Sequence, residues 1–340
     1  MPGVRLNFSK STMGLSFGVP GARYTINTKG RRTVSTGIPG TGIYNVETLS
    51  SGKTSRRPRA TSNQSEEVTY RDYEPPATMR PGLFARKWER AFYSFLLDVY
   101  RHDAKDTPRE VFDKATALKS AHPQLQIPLD LIIFLHAIGD DSFDKEIDAW
   151  GDAIWTNRTN YFNNPIVLKY FKGITPQVTI SRGISTQDTY NMQTFLFMWA
   201  ELLQDRQKYD FALSVIESMP ANQYTAISMA DIELTMKNYD AAIETSEDIE
   251  NEDDATAMLL ILRGIAFREK EMYDGALECF KRALAKKDRS EVMKHRAHFE
   301  RAENYIRMGK KAMAIKDLEK ILVDDSDYPA VQEKLDQLKS

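Results

Sequence analysis

The sequence predicts an α+β multidomain chain: a small N-terminal β-meander, a flexible linker, and then a mainly α part built as a helical repeat, an α-solenoid. Three observations predict it. Gly18-Val19-Pro20-Gly21 returns as Gly37-Ile38-Pro39-Gly40, each led by a Ser two residues earlier and followed by Tyr24 or Tyr44. Residues 50–82 then lose all periodicity to Ser, Arg, Pro, Glu and Thr. Beyond Thr189, Ala200 and Ala212, Ala230 and Ala242, Gly264 and Ala276, and Ala302 and Ala314 each lie twelve apart, and the second members follow at 30, 34 and 38 residues.

The first module spans residues 1–49. Short alternations rich in β-branched and aromatic residues occupy 4–10, 14–19, 23–28 and 32–37, and glycines separate them, which is the pattern of strands and turns. Proline presets φ at the second position of a turn and glycine accepts positive φ at the third, so Val19-Pro20-Gly21-Ala22 and Ile38-Pro39-Gly40-Thr41 read as type II turns. Lys29-Gly30 supplies a hairpin tip between them. A meander this small buries little core, so it calls for a docking surface or self-association. The linker, 50–82, includes Arg56-Arg57-Pro58-Arg59 and Glu74-Pro75-Pro76. A flexible coil of this length holds its ends on the order of 30 Å apart.

Residues 83–188 form a helical domain. From Leu83, the residues Phe84, Trp88, Phe92, Phe95, Leu96 and Val99 recur at steps of three and four and give one apolar face. Further helices are expected over 108–120, 128–137 and 142–155, with Pro108 and Pro128 in first turns. The pattern lapses over 173–185, where Pro176-Gln177-Val178-Thr179-Ile180-Ser181 looks extended; a loop, an edge strand or an inserted hairpin would each fit.

Residues 189–340 contain four successive helix pairs. Small residues fall where two helices must cross closely, and Tyr209, Tyr239, Phe267, Tyr273, Phe280 and Tyr305 fill the space between pairs. Gly264-Ile265-Ala266-Phe267, Tyr273-Asp274-Gly275-Ala276, Phe280 and Ala283 make the clearest copy, and Ala302, Tyr305, Gly309, Ala314 and Leu318 the next. This pattern resembles the tetratricopeptide repeat family, over roughly residues 190–340. The first two copies depart from it, with Leu203 and Glu233 where an aromatic is usual. Tyr328-Pro329 introduces a last helix, 330–338, expected as a solvating cap.

The N-terminal module also resembles a known family. Arg5-Leu6-Asn7-Phe8-Ser9-Lys10-Ser11, Gly14-Leu15-Ser16-Phe17-Gly18, Pro20-Gly21-Ala22-Arg23-Tyr24-Thr25-Ile26 and Gly37-Ile38-Pro39-Gly40-Thr41-Gly42 are similar to a bacterial N-terminal domain family of unknown function, over residues 2 to 45. The resemblance implies one further strand before Pro2-Gly3, which this sequence lacks, and it implies no activity.

Composition narrows the function classes. No run of about 18 uncharged apolar residues exists to span a bilayer. The first residues lack the apolar core of a signal peptide and Cys279 is the sole cysteine, so a cytoplasmic location is expected. The net charge of −2 hides a split: within residues 1–60, Arg5, Lys10, Arg23, Lys29, Arg31, Arg32, Lys53, Arg56, Arg57 and Arg59 oppose Glu47 alone, a local excess of nine, so the remainder carries −11. Such a basic end fits a nucleic acid, an anionic membrane surface or an acidic protein surface, and a solvated basic sheet has the same count.

Catalytic patterns are missing. Ser51-Gly52-Lys53-Thr54 imitates the end of a phosphate-binding loop, but Glu47 holds the place of the leading glycine and Arg56-Arg57-Pro58 stands where a helix should start. His295 and His298 lie three apart on a helix without enough further ligands in sequence for zinc, so no metal and no cofactor is expected. Asp325 and Asp327 start like a calcium loop, but Ala330 and Asp336 stand where Gly and Glu are needed. Cys279 reads as a buried small apolar residue.

What remains is a surface. The repeat resemblance implies that the first helix of each pair lines a concave groove, which here means Phe197 and Glu201; Tyr224, Ile227, Asp231 and Leu234; Met258, Ile261, Ile265 and Arg268; and Arg296, Phe299, Glu303 and Arg307. An apolar floor with charged walls suits a peptide or helix. The expected function is therefore a non-enzymatic adaptor or scaffold that binds a protein or peptide there, with the basic module (Arg5, Lys10, Arg23, Lys29, Arg31, Arg32, Arg56, Arg57, Arg59) making a second contact or self-associating. The alternatives are a nucleic-acid or anionic-membrane binder acting through residues 1–60, and a groove filled by the chain's own preceding helices or linker.

Overall fold

The structure, a computed structural model, describes strand segments 4–9, 12–19, 22–27, 32–36 and 45–50, and then residues 79–100, 106–181, 183–247, 249–326, 328 and 330–339. The expected turns at Pro20-Gly21, Lys29-Gly30 and Pro39-Gly40 lie outside the described residues, as does most of the linker.

The strands β1 (Val4–Ser9), β2 (Thr12–Val19), β3 (Ala22–Asn27), β4 (Arg32–Thr36) and β5 (Asn45–Ser50) pair antiparallel in chain order. Their registers include Leu6 opposite Leu15, Phe17 opposite Tyr24 and Val34 opposite Glu47. The fifth strand falls outside the four runs expected from alternation.

The chain is mostly helical. The helices before the repeat are α1 (Lys87–Val99), α2 (Pro108–Ala121), α3 (Gln126–Ala137), α4 (Ile147–Thr156), α5 (Arg158–Phe162) and α6 (Pro165–Tyr170). α1 starts four residues later than its apolar pattern: Leu83 and Phe84 precede it and are almost wholly exposed, because their turn is not part of the helix that buries Phe92, Phe95, Leu96 and Val99. α2 begins at a capping box, in which Thr107 and Glu110 satisfy each other's backbone N–H, with Pro108 in the first turn where its missing N–H costs nothing. The segment after α6 forms a hairpin of β6 (Gln177–Ser181) and β7 (Ile184–Gln187), with Gly183 at φ 91° in its turn.

The repeat follows as four helix pairs: α7 (Met192–Asp205) with α8 (Tyr209–Glu217), α9 (Gln223–Thr235) with α10 (Tyr239–Thr245), α11 (Asp254–Glu269) with α12 (Tyr273–Ala283), and α13 (Glu291–Arg307) with α14 (Lys311–Asp324). A last helix, α15 (Val331–Lys339), packs on α14.

Two local devices recur in every pair. The first helix starts from a polar cap, Asn191, Asn222, Asp253 or Ser290, whose side chain accepts from the exposed N–H groups of the first turn. It ends in a residue with positive φ, Gln207, Lys237, Glu271 or Gly309. There the next N–H reaches back five residues, from Lys208 to Leu203, Asn238 to Glu233, Met272 to Phe267 and Lys310 to Tyr305, each at 2.8 Å. This closure reverses the chain tightly enough to lay the second helix on the first. Only the fourth copy uses glycine, the residue that adopts this conformation without strain.

The small residues sit at the crossings. Ala200, Ala212, Ala230, Ala242, Ala276, Ala302 and Ala314 are all buried. A Cβ on Gly264 would lie 2.6 Å from Cε1 of Phe280, so the crossing of α11 and α12 is set by the absence of a side chain. One continuous apolar core runs from α1 to the start of α13, and a second, smaller cluster joins the rest of α13 to α14 and α15. Trp199 of α7 anchors the first core: it packs edge-on against Phe134 and Phe211, and a Cβ on Gly151 of α4 would collide with its indole.

Gly264→Ala is expected to destabilise the chain by about 1–3 kcal/mol by overpacking against Phe280. Glu271→Gly is expected to stabilise it, since the left-handed conformation costs an L-residue roughly 1–2 kcal/mol. Urea denaturation of the two variants checks both signs.

Candidate functional site

Among the first helices of the pairs, α11 packs between α9 and α13, and strand β6 of the hairpin packs on both α7 and α9 while β7 touches α11. Alternation places Val178 and Ile180 of β6 on the buried side, and Ser181 and Ile184 flank the turn. Fully burying an aliphatic side chain contributes about 1.5–3 kcal/mol, so these three apolar residues hold the hairpin down. Ser181 adds direction: its Oγ donates to Oδ2 of Asp231 on α9 at 2.7 Å. At the base, the Tyr190 N–H donates to the Ile174 carbonyl at 2.7 Å and the Tyr190 hydroxyl donates to the Leu131 carbonyl of α3 at 3.2 Å. The hairpin is thereby tied both to the repeat and to the helices before it.

This arrangement decides where the expected groove residues stand. Phe197, Ile227, Met258 and Ile261 are buried in the continuous core and offer no open apolar floor. Asp231 already has Ser181 as its partner. Tyr224, Leu234 and Ile265 are half-buried at the margin of the same core. Among the described residues, the segment that packs on α7 and α9 and touches α11 is the hairpin.

Towards the C-terminal end the charged residues satisfy one another. Arg268 of α11 donates to Oε2 of Glu300 on α13 at 2.7 Å, and Arg296 lies 3.0 Å from Oε1 of the same carboxylate. Arg307, exposed, stands 3.9 Å from Glu269. Phe299 stacks obliquely on Tyr328 at 5.9 Å, and Lys334 of α15 sits over its ring while binding Glu303 at 2.8 Å. α15 therefore covers this end of α13, which solvation of the repeat end requires.

Sequence reasoning missed Ser181 and the buried hairpin residues. Their signal was the alternation in 176–181 followed by Gly183. Cys279 is buried, and burial pushes its thiol up, which suits a packing role. Of the basic residues, Arg5, Arg23 and Arg32 lie on β1, β3 and β4, whereas Lys10, Lys29, Arg31, Arg56, Arg57 and Arg59 lie outside the described residues, as does the Ser51–Thr54 segment.

Residues 1–46 match the family described as a protein of unknown function (DUF4236). No curated protein matches the chain. Among solved structures, it is similar to the N-terminal domain of the EccA1 ATPase of the ESX-1 secretion system of Mycobacterium tuberculosis, with a TM-score of 0.56 at 13% identity, covering 74% of this chain and 88% of that one. It is also similar to a tetratricopeptide repeat protein of Parabacteroides merdae, with a TM-score of 0.44 at 11% identity, covering 74% of this chain and all of that one. The helical part thus shares the fold of the EccA1 N-terminal domain, and the likeness concerns fold alone. No helix among the described residues is long and apolar enough to cross a membrane.

Glu201 of α7 carries a measurable consequence. Burial, with the Asp205 charge adding, pushes its carboxyl from the ordinary 4.5 up to about 8. The folded state therefore holds a proton that the unfolded chain gives up, and stability falls as pH rises from 4.5 towards 8. Glu201→Gln is expected to flatten that fall, as measured by urea midpoints at several pH values, because its amide stays neutral throughout.

Proposed function

We propose that this chain is a cytoplasmic, bacterial-type, non-enzymatic adaptor that binds a protein or peptide on the inner face of its repeat. Under this reading residues 1–49 are a basic module that makes a second contact, 50–82 the linker, 83–188 a helical domain that carries the hairpin, and 189–340 the binding repeat. One observation supports it most. α7 and α9 already take an extended strand, β6, whose Val178 and Ile180 are buried and whose Ser181 bonds Asp231. A surface that takes one extended segment has the pockets for another. The partner then enters by displacing the hairpin or by settling beside it, along Ile265 towards Arg307.

The excess of positive charge within residues 1–60 favours a second reading, a nucleic-acid or anionic-membrane contact by that segment. Affinity of residues 1–60 for such a surface would fall steeply with added salt.

The adaptor reading is tested with a chain in which residues 177–187 are replaced by a short Gly/Ser link. That variant is expected to bind a fluorescent peptide of residues 176–188 saturably, and the intact chain to bind it weakly or not at all. No binding by the variant, with its helical circular dichroism retained, contradicts the reading.

A further inference from the structure

His295 and His298, adjacent in sequence pattern, part company in the fold. His298 Nδ1 meets Oδ1 of Asp317 at 3.0 Å, and Arg301 binds the same carboxylate through two nitrogens, at 2.7 and 2.8 Å. Burial alone would raise Asp317, but these bonds overcome it and hold the carboxyl at about 2. That network is complete. His295 is different. It is 7% exposed, it lies edge-on to the Tyr328 ring, and its Nε2 has no hydrogen-bond partner. The nitrogen instead faces two carboxylates: Oδ2 of Asp324, the last residue of α14, at 3.5 Å, and Oε2 of Glu291, one turn earlier on α13, at 3.9 Å.

We propose that Glu291, His295 and Asp324 form a site for a divalent transition metal ion, with zinc the best match. The three ligand atoms all lie within 4.8 Å of one another. Zinc bonds of about 2.0–2.2 Å to nitrogen and oxygen, opened to a tetrahedral angle, set neighbouring ligand atoms roughly 3.4 Å apart. The observed 3.5 and 3.9 Å are long for hydrogen bonds to Nε2 and close to that edge length. A buried ring nitrogen without a hydrogen-bond partner that faces two carboxylates at these distances has the donor set to hold a cation between them. Imidazole with carboxylates suits zinc better than magnesium or calcium, which prefer oxygen alone.

The surroundings leave the ligands available. Lys294 binds Glu291 through Oε1, at 2.9 Å, and leaves Oε2 towards His295. Lys320 and His298 line the same open pocket of about 230 Å³, which leaves room for a water in the fourth position. The two lysines oppose a cation, so the site is one of moderate affinity. Its effect is mechanical: the ion ties the first two turns of α13, whose Met293 and Ala297 belong to the main core, to the last turn of α14, whose buried residues belong to the second cluster.

The test is calorimetric titration of the full chain with zinc chloride, with magnesium chloride as control, and thermal unfolding in both. One saturable zinc site is expected, with a rise in Tm that magnesium does not give. Asp324→Asn changes an exposed side chain at a helix end and leaves the fold intact; it is expected to weaken zinc by at least about tenfold, and His295→Gln to abolish binding. Absence of saturable zinc binding overturns the proposal. So does unchanged affinity in Asp324→Asn and in Glu291→Gln, which would place the zinc elsewhere, for example at Cys279.

Discussion

The docking of β6 on α7 and α9 is the interaction on which the arrangement of the helical part rests. A repeat of helix pairs leaves the inner faces of its first helices apolar, and here those faces carry Phe197, Ile227, Met258 and Ile261. Uncovered, they would present a large exposed apolar patch, which isolated chains rarely tolerate. The hairpin packs on α7 and α9 with Val178, Ile180 and Ile184 buried, and the Ser181–Asp231 hydrogen bond fixes where it lies. Its base is clipped to α3 by Tyr190, so the helices before the repeat and the repeat itself share one core.

Sharing that core has a second physical consequence. Trp199 is buried at the junction, against Phe134 from α3 and Phe211 from α8, where Gly151 lets α4 approach the indole face. Stability is therefore pooled from α1 to the first half of α13, while the rest of α13, α14 and α15 hold a cluster of their own. Local opening is expected to start where the core is smallest. At that end the charged residues pair with one another and the metal ligands join the ends of α13 and α14.

Much of this was legible in the sequence because it is written in short-range rules. Small residues twelve apart marked the crossings, and the structure buries every one of those alanines. The lapse of helical period over 173–185 marked the hairpin, but its destination was not legible, since alternation tells which side chains point one way and not which surface they meet. The groove positions were an expectation carried by the repeat resemblance, and the burial of Phe197, Ile227, Met258 and Ile261 followed only from tertiary packing. Leu83 and Phe84 show the opposite case: their spacing continued the apolar stripe of α1, yet the chain turns before it reaches them. The separation of His295 from His298 was likewise invisible, because Asp317 and Asp324 arrive from the next helix. The left-handed turns at Gln207, Lys237 and Glu271 carry no glycine and so gave no local signal.

Amide hydrogen exchange across residues 177–187 in the intact chain tests the central claim most directly, that the hairpin is part of the packed inner face. Val178, Ile180 and Ser181 should exchange as slowly as the middle of α9, and Asp231→Ala should release them while α9 stays protected. Exchange of the hairpin at the rate of an exposed loop in the intact chain would contradict the claim.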